Sequence, residues 1–231
     1  MNDLSTFPIT NRWPAKQPEL IQVYSYGTPN GLKVPIALEE MGVEFEFHKV
    51  TLAESDVKSP EFLSLNPNNK IPAIIDPNGP DGAPIGLFES GAILIYLAEK
   101  YNKLLGSNSV QKYKTIQWTM FQMAGQGPMF GQLGFFYKFA GSEIEDPRPL
   151  ERYVNEAKRI LGVMEKQLDG REWINGDYSI ADICLAPWLN TLGNYGAKEI
   201  LDYKKFANVA DYEERFKARP AVQKAIARLT S

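Results

Sequence analysis

The stretch "YSYGTPNGLKV", Tyr24 to Val34, sets small polar side chains at a turn between strand-like and helix-like sequence. A Cys-x-x-Cys redox pair at such a turn would occupy positions 28 and 31, and Thr28 and Gly31 stand there instead. Thr28 suits an N-cap and Pro29 the first helical position, which leaves Asn30 in the first turn. A helix start carries unpaired N–H groups and the positive end of the dipole, so it favours an anion. The Asn30 amide and the Thr28 hydroxyl can each donate a hydrogen bond. Neither is a base at neutral pH, so the chemistry they offer is the holding of an anion such as a thiolate. The competing reading, which local sequence alone favours, makes Asn30-Gly31 a turn and Thr28 a cap.

Little else in the chain offers chemistry. Among 231 residues there is one cysteine, Cys184, and one histidine, His48. Counting therefore excludes an internal disulfide and a His/Cys metal cluster, and the lack of disulfides suits a reducing cytoplasm. A Ser-His-Asp triad would require His48, which sits in the alternating run "VEFEFHKV" and reads better as a strand residue. Cys184, in the apolar "SIADICLAPW", reads as a buried structural thiol. The chain is 44% hydrophobic and 23% charged with net charge -3, as in ordinary globular proteins. That weak acidic balance gives no reason to expect nucleic acid or an anionic membrane as partner. No apolar run reaches the roughly 18–20 residues of a membrane span. Residues 1–20 are polar and proline-bearing, lack the pattern of a secretory signal, and read as an arm outside the core.

The elements that must position these residues follow from periodicity. "LIQVYSY" is a strand, "PNGLKVPIALEEMG" a helix stopped by Gly42 and disturbed at Pro35, and "VEFEFHKVTL" a second strand, together a parallel βαβ unit. "SPEFLSLNP" is a short helix capped by Ser59. "KIPAIIDPNGPDGAPIGLFES" is a hairpin with strands Ala73 to Asp76 and Ile85 to Phe88. "ESGAILIYLAEKYN" is a helix burying Ile93, Leu94, Leu97 and Ala98. Past residue 104 the signals are helical only. "LERYVNEAKRILGVMEKQL" buries a face of Tyr153, Ala157, Ile160, Leu161, Met164 and Leu168, and Ser179 with Asp182 opens another helix through a capping box. Pro220 separates the last two helices. The division predicted is an arm, 1–20, an α/β domain of βαβαββα order, 21–104, and an all-α domain, 105–231.

This order and four motifs resemble the cytosolic glutathione S-transferases over nearly the whole chain. The motifs are "TPNG", "NKIPAI" with Pro72, "FESGAILIYLAEK" with Glu89 and Ser90, and "SIAD". The combination with "GPMFGQ" and "LERY" is most similar to the Nu class, the Ure2p-like bacterial group known for glutathione-dependent disulfide-bond reductase activity. The resemblance implies a thioredoxin-like first domain, a homodimer, and glutathione, reduced or oxidised, as co-substrate with no metal.

It also implies roles for particular residues. Asn30 would lie beside the glutathione sulfur with Thr28 near it. A cis Ile71–Pro72 bond would turn the Ile71 backbone toward the cysteinyl part. Lys70 would meet the glycyl carboxylate, and Glu89 and Ser90 the γ-glutamyl ammonium and carboxylate. Gln132, Phe136 and Tyr137 would form the second-substrate pocket, and Arg152 would reach glutathione across the dimer. Each has a plainer reading: a surface Lys70 or Arg152, a capping pair at 89–90, a core aromatic run at 136–137.

The chain departs from the class at Val57, where a Gln contacting the glycyl end is usual; Lys58 or Lys70 would replace it. No Tyr or Ser takes the proton-donor role of other transferase classes, although Tyr24 and Tyr26 are near enough in sequence to be considered. The expected function is reduction of small disulfides by glutathione, with weak conjugation or peroxidase activity. The alternatives are a conventional transferase acting on electrophiles and a non-enzymatic glutathione-binding regulator.

Overall fold

The computed structural model describes residues 4–230. The chain forms two compact units, one running to Tyr101 and joined by the residues from Pro220 onward, the other Asn102–Arg219.

The first unit contains β1 (Ile21–Ser25), α1 (Pro29–Met41), β2 (Phe45–Lys49), α2 (Glu54–Val57), α3 (Pro60–Leu65), β3 (Ala73–Asp76), β4 (Ile85–Phe88) and α4 (Ser90–Tyr101). The sheet order is β2-β1-β3-β4. β1 and β2 are parallel, with Val23 opposite Phe47, while β3 runs antiparallel to both β1 and β4. This is the thioredoxin-like arrangement anticipated, with α1 as the parallel crossover. The short helix α2 has no periodic signal in "LAESDVK", because four residues are too few to show a period.

Local signals account for α1. The Thr28 hydroxyl oxygen accepts the Gly31 N–H at 3.0 Å, and Gly42, at φ +69°, ends the helix in the left-handed region. The helix continues through Pro35, which has no N–H for the Gly31 carbonyl one turn earlier. The Ser25 hydroxyl, at the end of β1, donates to that carbonyl instead at 2.9 Å. The buried serine thus repairs the break that the proline makes and ties the helix start to the sheet.

Residues 4–20 are not an arm outside the core. Leu4 and Ile9 are buried with Tyr24, Phe62 and Ile75, and Phe7 and Trp13 pack on the same cluster. A 3-10 turn, Pro8–Asn11, carries Ile9, with Leu4, Phe7 and Trp13 on either side of it. Their spacing has neither a helical nor a strand period, so sequence pattern alone passes over them.

The second unit is helical: α5 (Ser109–Phe121), a π-helical turn Gln122–Gln126, α6 (Gly127–Lys138), α7 (Pro147–Leu168), α8 (Ile180–Tyr195) and α9 (Ala207–Lys217). α7 buries Ala157, Ile160, Leu161, Met164 and Leu168 as its period requires, with Val154 rather than Tyr153 fully inside. The capping box at α8 is present: the Asp182 carboxylate accepts the Ser179 N–H at 2.9 Å. Asp182 also accepts from the Ile174 N–H at 2.9 Å and the Tyr212 hydroxyl at 3.0 Å, so one buried carboxylate joins the start of α8 to α9. The closing helix, α10 (Pro220–Thr230), packs on α1 in the first unit, where Lys224 and Arg228 each reach Glu39 at 2.6 Å. Among the described residues no helix is long and apolar enough to cross a membrane.

Candidate active site

A cleft of about 420 Å³ opens at the start of α1. Thr28, Asn30, Lys70 and Ile71, far apart in sequence, line it together with Val57, Lys58, Leu52, Glu54 and Asn69. The Ile71–Pro72 bond is cis, as expected. The loop before it is held by Asn66, which is buried, donates to the Lys70 carbonyl and accepts the Asn68 N–H at 2.9 Å. Asn69, at φ +51°, completes the turn in the left-handed region that Asn tolerates. The Ile71 backbone is thereby presented along the edge of the cleft.

A lone pair of the Thr28 hydroxyl oxygen caps α1, and its O–H is a donor in addition. Position 31 is closed to any side chain: a Cβ there would lie 1.9 Å from the Tyr26 carbonyl oxygen and 2.8 Å from the Ser25 hydroxyl. The turn therefore fixes glycine where a redox motif would place its second cysteine.

The cleft wall opposite α1 is the segment 51–58. Asp56 accepts the Thr51 N–H at 3.0 Å and hydroxyl at 2.6 Å, and Arg12 from the N-terminal segment pairs with it at 2.7 Å. The Thr51 hydroxyl, more than Arg12, holds the Asp56 carboxyl below the usual carboxylate range. Val57, where the class usually has Gln, supplies an apolar side chain to this wall. Lys58 is paired with Glu54 one turn away. Lys70 is exposed and its ammonium has no carboxylate partner among the described residues, so of the two lysines it is the one available to a ligand carboxylate.

The other sequence candidates sort as follows. Ser90 begins α4 and is buried, while Glu89 before it is exposed at φ +69°. A buried lysine missed by the pattern, Lys33, donates to the Ser90 hydroxyl at 3.4 Å. The only signal for it was a charge inside the apolar run "GLKVPIAL". Tyr24 does not line the cleft; it is fully buried and stacked on His48 at 4.7 Å, and burial raises its phenol well above the ordinary range. His48 hydrogen-bonds Gln22 at 2.8 Å, and burial lowers its pKa, which keeps it neutral and structural. Cys184 is buried in α8. No group of three or more His, Cys, Asp or Glu residues suited to a metal ion occurs among the described residues.

In the helical unit, Gln132 and Arg152 are exposed. Phe136 is half-buried and stacked on Tyr153 at 5.3 Å, and the Tyr137 hydroxyl donates to the Gly196 carbonyl at 3.3 Å.

A thioredoxin-like sheet in one unit, and a second, helical unit whose α8 starts with a capping box, define a class, and family comparison agrees with it. The glutathione S-transferase N-terminal domain matches residues 19–99 and the C-terminal domain residues 135–228. The chain belongs to the glutathione S-transferase family. It is 40% identical to the disulfide-bond oxidoreductase YfcG of Escherichia coli K12, over 90% of this chain and 94% of that one. It is 60% identical to a glutathione transferase from Burkholderia graminis, whose crystal structure holds two glutathione molecules per subunit (TM-score 0.95, covering 98% of this chain and 95% of that one). It is 56% identical to one from Pseudomonas putida, crystallised with one glutathione disulfide per subunit (TM-score 0.95, covering 97% and 98%).

Proposed function

We propose that this protein is a glutathione-dependent disulfide-bond oxidoreductase of the Nu, Ure2p-like class, acting on small disulfides without a protein cysteine. The observation that carries this is the cleft at the start of α1, which gathers Thr28, Asn30, Lys70 and Ile71 and has no thiol in its wall. The similar crystal structures with two glutathiones or one glutathione disulfide per subunit support room for both reacting tripeptides.

The first glutathione sits with its sulfur at Asn30 and Thr28. Their donors and the helix dipole favour the thiolate over the thiol, which free in water has a pKa of about 8.5. The thiolate attacks one sulfur of the substrate disulfide, forming a glutathione mixed disulfide and expelling the other sulfur as a thiolate that takes a proton. A second glutathione thiolate attacks the glutathione sulfur of that mixed disulfide. Glutathione disulfide forms and the second substrate thiol leaves. Two glutathiones are oxidised and one disulfide is reduced, and the protein holds charge without being oxidised.

Ile71 pairs with the cysteinyl backbone beside cis Pro72, Lys70 with the glycyl carboxylate, and Glu89 and Ser90 with the γ-glutamyl end. Gln132, Phe136 and Tyr137 for the second substrate, and Arg152 for glutathione across a homodimer, rest on the family resemblance. The lone buried cysteine supports a cytoplasmic setting.

The test is turnover of hydroxyethyl disulfide with glutathione, recycled by glutathione reductase, beside an aryl halide and a hydroperoxide. The disulfide should turn over fastest. Cys184→Ala should stay active, and Asn30→Ala should lose roughly 10–100-fold in kcat/KM, the size of a lost donor to a charged group. Wild-type rates in Asn30→Ala, or an aryl halide turned over faster than the disulfide, would sink the assignment. Glutathione binding with no turnover on any substrate would point to a regulator instead.

A further inference from the structure

The segment 51–58 gives the cleft Leu52, Glu54, Val57 and Lys58. Its helix, α2, has four residues, too few to be stable by itself, so its place is set by tertiary contacts. Asp56 gathers them. Its carbonyl accepts the Ser59 hydroxyl at 2.8 Å, just past the end of the wall. One carboxylate oxygen, Oδ2, accepts the Thr51 N–H and hydroxyl at the wall's beginning. The other, Oδ1, accepts from the Arg12 guanidinium at 2.7 Å, 44 positions away in sequence. Arg12 is itself braced. Its guanidinium lies over the Trp13 ring at 5.0 Å, and Trp13 packs edge-on against Tyr24 and Phe62, both fully buried. Glu46 on β2 fixes the same N-terminal segment further along, accepting the Lys16 and Gln17 N–H groups at 3.0 and 2.7 Å. A continuous set of contacts thus runs from the core of the first unit through Arg12 and Asp56 to the cleft.

We propose that Arg12 is a positioning residue for the glutathione site: through Asp56 it sets the wall against which the glycyl end of the tripeptide binds. This rests on the reading that places the glycyl carboxylate at Lys70, which lines the same cleft. With Arg12 removed, Oδ1 turns to water, Thr51 alone orients the Asp56 side chain, and the wall samples more positions. The cost of ordering it then falls on the ligand. The effect belongs to binding and not to the chemical step, because the sulfur is held at Thr28 and Asn30, on a different element. For the same reason it is confined to the glycyl end. The N-terminal segment thereby acts on the site although Arg12 does not line the cleft.

The test compares two thiols on two proteins. γ-Glutamylcysteine lacks the glycyl residue of glutathione. Binding of both is measured by titration calorimetry on wild type and Arg12→Met, with KM and kcat for glutathione against hydroxyethyl disulfide and thermal unfolding as a check on folding. Wild type should bind glutathione roughly tenfold or more tightly than γ-glutamylcysteine, the size of a charge-assisted contact to the glycyl carboxylate. Arg12→Met should weaken glutathione binding and raise its KM by roughly three- to fivefold, the upper range for a partly exposed ion pair. It should bind γ-glutamylcysteine nearly as wild type does and keep kcat within about twofold. Equal weakening of both thiols, or no weakening of either, would overturn the proposal and leave Arg12 a purely structural residue. A wild type that binds the two thiols equally would overturn the reading of Lys70 itself. If Arg12→Met does not fold, Thr51→Val carries the test by taking the hydroxyl from Oδ2: the preference for glutathione must fall, and an unchanged ratio overturns the proposal.

Discussion

The carbonyl oxygen of Tyr26 stands where a side chain on residue 31 would have to begin, 1.9 Å from the Cβ that Gly31 lacks. The backbone of β1 and that of α1 meet there, and the neighbouring Ser25 hydroxyl binds the Gly31 carbonyl. This close approach fixes the helix start that lines the cleft, and it excludes a cysteine at position 31 at the same stroke.

Gly31→Ala and Gly31→Cys should therefore be strongly destabilised. The obstructing atom is main chain and cannot rotate away, so the loss should reach or exceed the roughly 1–3 kcal/mol of ordinary overpacking. Denaturant unfolding measures it, and a near-native midpoint for Gly31→Cys would contradict the geometry.

Lys70 and Lys58 should behave differently although both line the cleft. Lys58 already pairs with Glu54 on an exposed face, so Lys58→Ala should change the KM for glutathione less than about twofold. Lys70→Ala should raise it by roughly fivefold or more, the scale of a lost contact to a ligand carboxylate. Steady-state kinetics with varied glutathione decides, and equal effects would mean that the glycyl end sits elsewhere.

Ile9 tests the N-terminal segment. It is fully buried against the cluster of Tyr24 and Phe62. Ile9→Ala should cost about 2–4 kcal/mol, as for a core methylene deletion. A cost below about 0.5 kcal/mol would return residues 4–20 to the status of a loose arm.

Asp182 gives a pH signature. Burial pushes its carboxyl up to about 6, against four hydrogen bonds that favour the ionised form. In the unfolded chain its value is about 3.9. The folded state thus binds this proton more tightly, so the contribution is fully present below about pH 3.9 and is lost as pH rises through about 6. Asp182→Asn removes that titration. The stability gap between wild type and variant should therefore move by about 2 kcal/mol in the variant's favour from pH 4.5 to 7.5. The variant should still be the less stable at both, since an amide cannot accept all four donors. Unfolding curves at the two pH values read the shift, and a constant gap would show that Asp182 does not titrate in this window.

Much of the molecule was legible in the chain because its signals are local. Strand alternation, the caps at Thr28, Ser59 and Ser179, and the stops at Gly42 and Pro220 each act within a few residues. One cysteine in 231 residues excluded an internal dithiol pair. Tertiary structure alone decided what depends on close approach of distant segments. Ser25 repairs the carbonyl that Pro35 orphans, and the irregular apolar residues at 4, 9 and 13 pack into the first unit. Lys33, hidden in an apolar run, faces Ser90 across 57 positions of sequence. Periodicity reports which side of an element is buried, but it carries no information about what that side meets.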